Sequence, residues 1–324
     1  LYLCSDVPAL CGSAEFICPA SDGEFIRIRD GNICFCDGNG SEICKEFSRV
    51  PPESRSSSVM SGTFMEKEIA EIPRALSDTY KSLSATDFAP CARILRGAGH
   101  VYAVACGTAL HAAQAFGDIA ESEVRCPVFC FAASEFRYRD PLISKDDLLV
   151  AVSQSGETAD TLQAARLAKE RGAYVLAVTN IAQSSLASLA DFTIVMRAGP
   201  EIAVAATKSY NCQLLCLYYL AAQMKYYRVQ EFPDWFSQCS SLSSAAEEVF
   251  ACFPQMSALA AKFKDARGMF YLGRGLHVRT AAEGALKVKE IAYVFAEGYA
   301  AGELKHGTLA LIEEGFPVFA LSTR

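Results

Sequence analysis

The sequence has no apolar run long enough to cross a bilayer. Its best candidate, residues 214–224, falls well short of the roughly 20 residues that a spanning helix needs. No basic segment followed by an apolar stretch and a small-residue cleavage site marks a secretory leader. A surplus of positive charge is also missing: 30 Lys and Arg stand against 37 Asp and Glu, a formal net charge of −7. That balance excludes the basic footprint of a general nucleic-acid or membrane-surface binder, although a small anion can still sit in a locally neutral pocket. No CxxC pair occurs among the 14 cysteines, and the four histidines lie far from the six that crowd the start of the chain (Cys4, Cys11, Cys18, Cys34, Cys36 and Cys44). The cysteines therefore read as small reduced hydrophobes of a cytoplasmic protein, rather than as a disulfide framework or a zinc site. Gly97-Ala98-Gly99 and Gly273-Arg274-Gly275 both lack the third glycine of a dinucleotide fingerprint.

What is present is apolar material in quantity. Hydrophobic residues make up 51% of 324, and charged residues 21%, enough for a sizeable core and, by length, for two domains. The first 48 residues alternate in short stretches (24–29 and 33–36) between turn signals Asp22-Gly23, Asp30-Gly31-Asn32 and Asp37-Gly38-Asn39-Gly40. This pattern predicts an antiparallel meander. Residues 49–62, with Pro51, Pro52, Ser54, Ser56, Ser57 and Ser58, have no apolar periodicity and read as a linker or exposed loop.

From residue 63 the texture changes. A helix is predicted over 64–80 with a kink or break at Pro73, and helices follow over 108–121, 160–171, 207–227 and 280–294. Apolar strands are predicted at 100–105, 128–132, 147–152, 174–179, 192–196, 269–272 and 318–321. Strands alternating with helices of this length predict an α/β fold, a doubly wound parallel sheet with helices on both faces. The spacing divides the chain into 1–48, the linker 49–62, a first α/β domain over 63–235 and a second over 250–324 that looks cut short. Leu1 stands in sequence that already reads as strand, so it is not expected to be a natural start.

Two strand-to-helix loops carry chemistry. The strand at 147–152 runs directly into Ser153-Gln154-Ser155-Gly156-Glu157-Thr158 and a helix. A phosphate needs donors converging on one point. A helix N-terminus supplies N–H groups and a positive dipole end, to which Ser153, Gln154, Ser155 and Thr158 add side-chain donors. The loop holds no Lys or Arg, so it is not a Walker A site. The plainer reading is a Ser/Thr helix cap, but three hydroxyls and a glycine after a buried strand favour an anion site. Cys106-Gly107-Thr108 also follows a strand and opens a helix. In an open parallel sheet both loops face the same edge.

Glu283, Lys287 and Glu290 recur at i, i+4 and i+7. Such a stripe is commonly a solvated salt-bridge face. Proton transfer between adjacent carbons of an open-chain sugar, however, needs a carboxylate base and a cation beside the developing enediolate, roles that suit Glu290 and Lys287. His306, in Gly302-Glu303-Leu304-Lys305-His306-Gly307, could assist ring opening. As a lone histidine it is otherwise an ordinary surface residue.

The chain resembles the glutamine–fructose-6-phosphate aminotransferases, or glucosamine-6-phosphate synthases. The resemblance rests on Phe64-Met65-Glu66-Lys67-Glu68-Ile69 with Pro73, Ala105-Cys106-Gly107-Thr108, and Ala133-Ser134-Glu135-Phe136-Arg137-Tyr138-Arg139. It continues through Ser153 to Thr161, Thr207-Lys208, Glu283 to Glu290, and Ala300 to His306. It implies sugar-isomerase (SIS) domains that receive ammonia from a glutaminase domain and convert fructose 6-phosphate to glucosamine 6-phosphate, without metal or nucleotide cofactor. Residues 1–48, beginning around Ser5-Asp6-Val7, resemble the end of that glutaminase domain. Its cysteine nucleophile would lie upstream, and a tail lysine that forms a Schiff base would lie downstream.

By the same resemblance, Thr108, Ser153, Gln154, Ser155 and Thr158, with Val204 nearby, hold the sugar phosphate. Glu290 is the base, Lys287 its partner at the enolic oxygen, and His306 opens the ring in a neighbouring subunit, implying a homodimer. Ala109 and Ala206 stand where that family commonly has serines that touch the sugar. Two other readings remain open at this stage: a fructosamine-phosphate deglycase-like SIS enzyme, and a non-catalytic sugar-phosphate sensor. The meander of residues 1–48 argues against the first, and Glu290, Lys287 and His306 in register argue against the second.

Overall fold

A computed structural model describes residues 2–3, 14–21, 23–49 and 63–322. Cys4, Cys11, the Ser5-Asp6-Val7 stretch, Asp22 and the Pro/Ser-rich segment 50–62 lie outside the described residues. The chain divides into two compact units, Leu1–Thr63 and Phe64–Arg324.

In the first unit, strands β2 (Phe25–Arg29), β3 (Asn32–Cys36) and β4 (Glu42–Ile43) form the expected antiparallel meander. The short strands β1 (Phe16–Ile17) and β5 (Ser48–Arg49) pair antiparallel with each other. Arg29 faces Asn32 across a two-residue turn in which Asp30 and Gly31 both have positive φ, 50° and 79°. This is the twist a tight hairpin needs, and Asp-Gly supplies it at low cost. The described cysteines are free thiols; six of them are buried, including Cys212 and Cys216, which behave as apolar packing residues.

The second unit is built on a five-stranded parallel sheet. Its strands are β6 (Val101–Ala105), β7 (Val128–Ala132), β8 (Leu148–Val152), β9 (Tyr174–Thr179) and β10 (Phe192–Val195), in the order β10-β9-β8-β6-β7. Every residue of β6 and β8 is buried, because helices cover both faces and period-two alternation has no wet side to respect. Val101, Ala103, Leu148, Val150, Leu176 and Val178 join one core, while Tyr102, Val104, Leu149, Ala151, Val175 and Ala177 join the other.

The first core is closed by α2 (Ile72–Ser84), α3 (Ala92–Gly97), α4 (Thr108–Ile119) and α8 (Lys208–Val229); the short α1 (Phe64–Ala70) precedes them. The second is closed by α5 (Ala133–Phe136), α6 (Ala159–Glu170) and α7 (Ser185–Leu189). Helices α9 (Leu242–Phe250) and α10 (Phe253–Phe263) lead to a three-stranded parallel sheet, order β12-β11-β13, of β11 (Gly268–Gly273), β12 (Phe295–Ala300) and β13 (Val318–Ala320). Helix α11 (Leu276–Ala292) joins β11 to β12.

Most predicted elements agree to within one or two residues. The predicted helix over 64–80 is two helices, broken at Glu71 with Pro73 seated in the first turn of α2, where its missing N–H costs nothing. Helix α11 begins four residues before the predicted 280, because Gly275, at φ 54°, turns the chain directly out of β11. Strand β12 was not predicted: Glu297 and Gly298 interrupt its apolar pattern. A Cβ on Gly298 would lie 2.5 Å from Ala282 Cα on α11. Gly298→Ala is therefore expected to force α11 off the sheet and destabilise the protein by about 1–3 kcal/mol. Gly302→Ala, with open space around its Cβ, should stay within about 0.5 kcal/mol of wild type. Urea denaturation of both variants measures the difference, and equal midpoints would contradict it.

Candidate functional site

The order β10-β9-β8-β6-β7 fixes where a ligand fits. The chain leaves β6 toward β7 on one side, then crosses back to β8 on the other. The loops after β6 and β8 thus part in opposite directions and leave a crevice at the carboxyl ends of these neighbouring strands. Thr108 follows β6 and Ser153 follows β8, so the fold brings the two predicted loops to one edge.

The loop after β8 is pre-shaped. Ser153 is buried; its Oγ accepts from Gly156 N at 3.0 Å and shares a proton with Thr158 Oγ1 at 2.9 Å. Ser155 Oγ accepts from Glu157 N at 3.1 Å, and Glu157 Oε1 accepts from Ser185 N at 2.7 Å. Gly156 takes φ 68°, and a Cβ there would lie 2.1 Å from Ser184 Oγ, so glycine is required both by conformation and by space. Thr158 occupies the cap position of α6, yet its side chain makes no capping bond. The first N–H groups of α6 have no intrahelical acceptors. They remain available to an anion, together with the Ser155 hydroxyl, the Gln154 amide and the second proton of the Ser153–Thr158 pair.

A second loop, 198–207, is tied to the first. Asn180 N donates to Gln154 O at 3.0 Å, while the Asn180 side chain bonds Ala198 N and Gly199 O. The buried Glu68 carboxylate accepts from Ile202 N (2.5 Å) and Ala203 N (3.1 Å), and burial holds its pKa above the ordinary range. Glu201 accepts from Thr207 N and from the Ser209 hydroxyl, and the buried Lys208 pairs with Glu71. These anchors leave Val204 91% exposed at the tip of the loop.

The third component crosses from the second sheet. Helix α11 packs antiparallel against α4, and the stripe on α11 is not a solvated face. Glu283 is only 5% exposed. Its carboxylate accepts from His111 Nδ1 at 2.7 Å and Thr108 Oγ1 at 3.0 Å, and pairs with Lys287 Nζ at 3.2 Å. Lys287 Nζ also donates to Thr108 Oγ1 at 2.8 Å and pairs with Glu290 Oε2 at 2.7 Å. Burial, the largest single influence, pushes the Glu283 pKa up. The His111 bond, Lys287 and Thr108 together outweigh it, so Glu283 titrates below its ordinary range. At the other end of the helix pair, Arg279 donates to both Asp118 oxygens at 2.9 and 3.2 Å.

Thr108, Lys287 and Glu290 are thus joined in one network, and the loop from Ser153 to Thr158 stands on the neighbouring strand. His306 is not joined to them. It lies exposed in the turn after β12, and its side chain makes no hydrogen bond or ion pair among the described residues. Val204, an apolar side chain almost fully exposed, is likewise no part of this hydrogen-bonded network. Sequence reasoning passed over His111, Glu68 and Asn180. His111 sits three residues after Thr108, one helical turn along the same face, and that spacing was the available signal.

A family model described as the SIS domain matches residues 94–223 and 262–324. The C-terminal domain of glucosamine-fructose-6-phosphate aminotransferase from Francisella tularensis superposes with a TM-score of 0.76. It is 32% identical, over 83% of this chain and 78% of that one. The chain belongs to the glutamine–fructose-6-phosphate aminotransferase family of SIS-domain proteins. A glutamine–fructose-6-phosphate aminotransferase (isomerizing) of Clostridium acetobutylicum is 42% identical over the whole chain and 55% of its own length. That of Aquifex aeolicus is 36% identical over the whole chain and 54% of its own. The chain spans about half the length of the curated relatives it matches.

The lowered pKa of Glu283 has a consequence for stability. A depressed carboxylate contributes stability above its unfolded value of 4.5 and loses it as pH falls through the folded value. Denaturation of wild type and Glu283→Gln between pH 3 and 7 should show a wild-type advantage that is constant above about pH 5 and shrinks below 4.5. An offset that does not change with pH would contradict the assignment.

Proposed function

We propose that this chain binds fructose 6-phosphate and carries the isomerising half of its glutamine-dependent conversion to glucosamine 6-phosphate. The observation that carries this reading is the meeting of a cation and two carboxylates, Lys287, Glu283 and Glu290, with the hydroxyl that opens α4, beside a separate anion cradle. The phosphate takes the N-terminus of α6 with Ser153, Gln154, Ser155 and Thr158, and the 198–207 loop with Val204 flanks it. The sugar then extends toward Thr108. Enolisation needs a base to remove a proton from carbon and a cation to hold the charge on oxygen. Glu290 serves as the base between carbons 1 and 2, with Lys287 at the enolic oxygen.

In this reading, residues 63–235 form one SIS domain, 250–324 belong to a second, and 1–48 are the end of a glutaminase domain that delivers ammonia. The exposure of His306 fits a group that acts across a homodimer, opening the sugar ring in the partner's site. The setting is cytoplasmic. None of the helices among the described residues is long and apolar enough to cross a membrane.

Titration calorimetry with fructose 6-phosphate and glucosamine 6-phosphate tests the site. Both should release or absorb measurable heat, and Ser153→Ala combined with Thr158→Val should weaken binding about 10- to 100-fold, the loss of the one hydrogen bond that this pair can donate to a charged group. No heat from either ligand with folded wild-type protein would remove the proposal.

A further inference from the structure

We propose that His111 is a positioning residue for this site: by donating to Glu283 it fixes that carboxylate, and through it the Thr108 hydroxyl and the Lys287 ammonium. The inference rests on the sugar-phosphate reading above and adds a residue to it.

The assignment follows from counting donors and acceptors. Glu283 titrates below its ordinary range, so at neutral pH it is ionised and only accepts. The group facing it at 2.7 Å, His111 Nδ1, must therefore carry a proton. Thr108 has one hydroxyl proton, and it points to Glu283 Oε1. The Thr108 oxygen is then left to accept from Lys287 at 2.8 Å. His111 occupies Oε2, so Oε1 is the oxygen that takes both Thr108 and Lys287.

Without the imidazole donor, Oε2 loses its partner within the α4–α11 contact, and the cation already paired with this carboxylate is Lys287, through Oε1 at 3.2 Å. Tyr210 of α8 also lies close enough for the Glu283 charge, added to burial, to raise its pKa. Lys287 would then be drawn toward Oε2 and away from Glu290, its partner at 2.7 Å. A cation displaced in that way would still leave the α6 cradle intact. The expected signature is a slow proton transfer with nearly unchanged binding.

The test compares wild type, His111→Ala and His111→Asn, whose amide N–H replaces the Nδ1 donor without an ionisable ring. Exchange of the C1 proton of fructose 6-phosphate into deuterated water is followed by proton NMR, and binding of the same compound by calorimetry. His111→Ala should slow exchange about 10- to 100-fold, the cost of a misplaced catalytic group, with Kd within about threefold. His111→Asn should recover to within about threefold of wild type. Exchange in the alanine variant equal to wild type, or a folded asparagine variant as slow as alanine, would overturn the proposal. If wild type binds no sugar phosphate, the functional reading fails first and takes this inference with it. Nitrogen NMR of the wild-type imidazole supplies a readout independent of any variant's folding: Nδ1 protonated at neutral pH supports the assignment, and Nδ1 bare overturns it.

Discussion

The buried carboxylate of Glu283 is the constraint on which the site depends. It is a charge taken out of water between two helices that belong to different sheets, and a buried charge is tolerated only when its partners are in place. Here the partners come from both sides: His111 and Thr108 on α4, Lys287 on α11 itself. Removing one partner from such a pair typically costs about 3–5 kcal/mol. The same contacts therefore hold α11 against α4 and aim Thr108 and Lys287.

The two helices are near counterparts. Gly107 opens α4 at φ 55° and ψ −129°, and Gly275 opens α11 at φ 54° and ψ −132°. Gly107 follows β6, an interior strand of the five-stranded sheet, and Gly275 follows β11, the middle strand of the three-stranded one, so the same strand–glycine–helix device is used twice. Their first helical residues differ, however: Thr108 on one side, Leu276 on the other. The first copy offers a hydroxyl at its helix start and the second an apolar side chain. In place of a matching loop, the second copy contributes the charged stripe further along its helix, so that one crevice draws on both halves.

Much of this was legible in the sequence, for physical reasons. Parallel strands are continuous apolar runs, which is why β7 at the sheet edge and the buried β9 were both placed to the residue. The glycine and hydroxyls of the Ser153–Thr158 loop are demanded by a tight turn, and the turn is visible in the residue types. The burial of the Glu283 stripe was not legible, because i, i+4 charge spacing looks the same on a wet face and at a helix–helix contact. Only the packing of α11 on α4 separates them. His111 and Glu68 were missed because each acts through a partner distant in sequence, Glu283 and the 202–203 backbone, and neither forms a local pattern. Strand β12 was missed because Gly298 is dictated by the close approach of α11, a tertiary demand that no strand propensity records.

The central claim is that one site is assembled from both halves, with Thr108 and Lys287 acting together on the ligand. A double-mutant cycle measures this directly: Thr108→Val, Lys287→Met and the double variant, each assayed for exchange of the C1 proton of fructose 6-phosphate into deuterated water. The composite site predicts a coupling of about 1 kcal/mol or more between the two substitutions. Strictly additive losses would show that the two groups act independently, and exchange that ignores Lys287→Met would show that α11 contributes nothing to the reaction; either result would contradict the account.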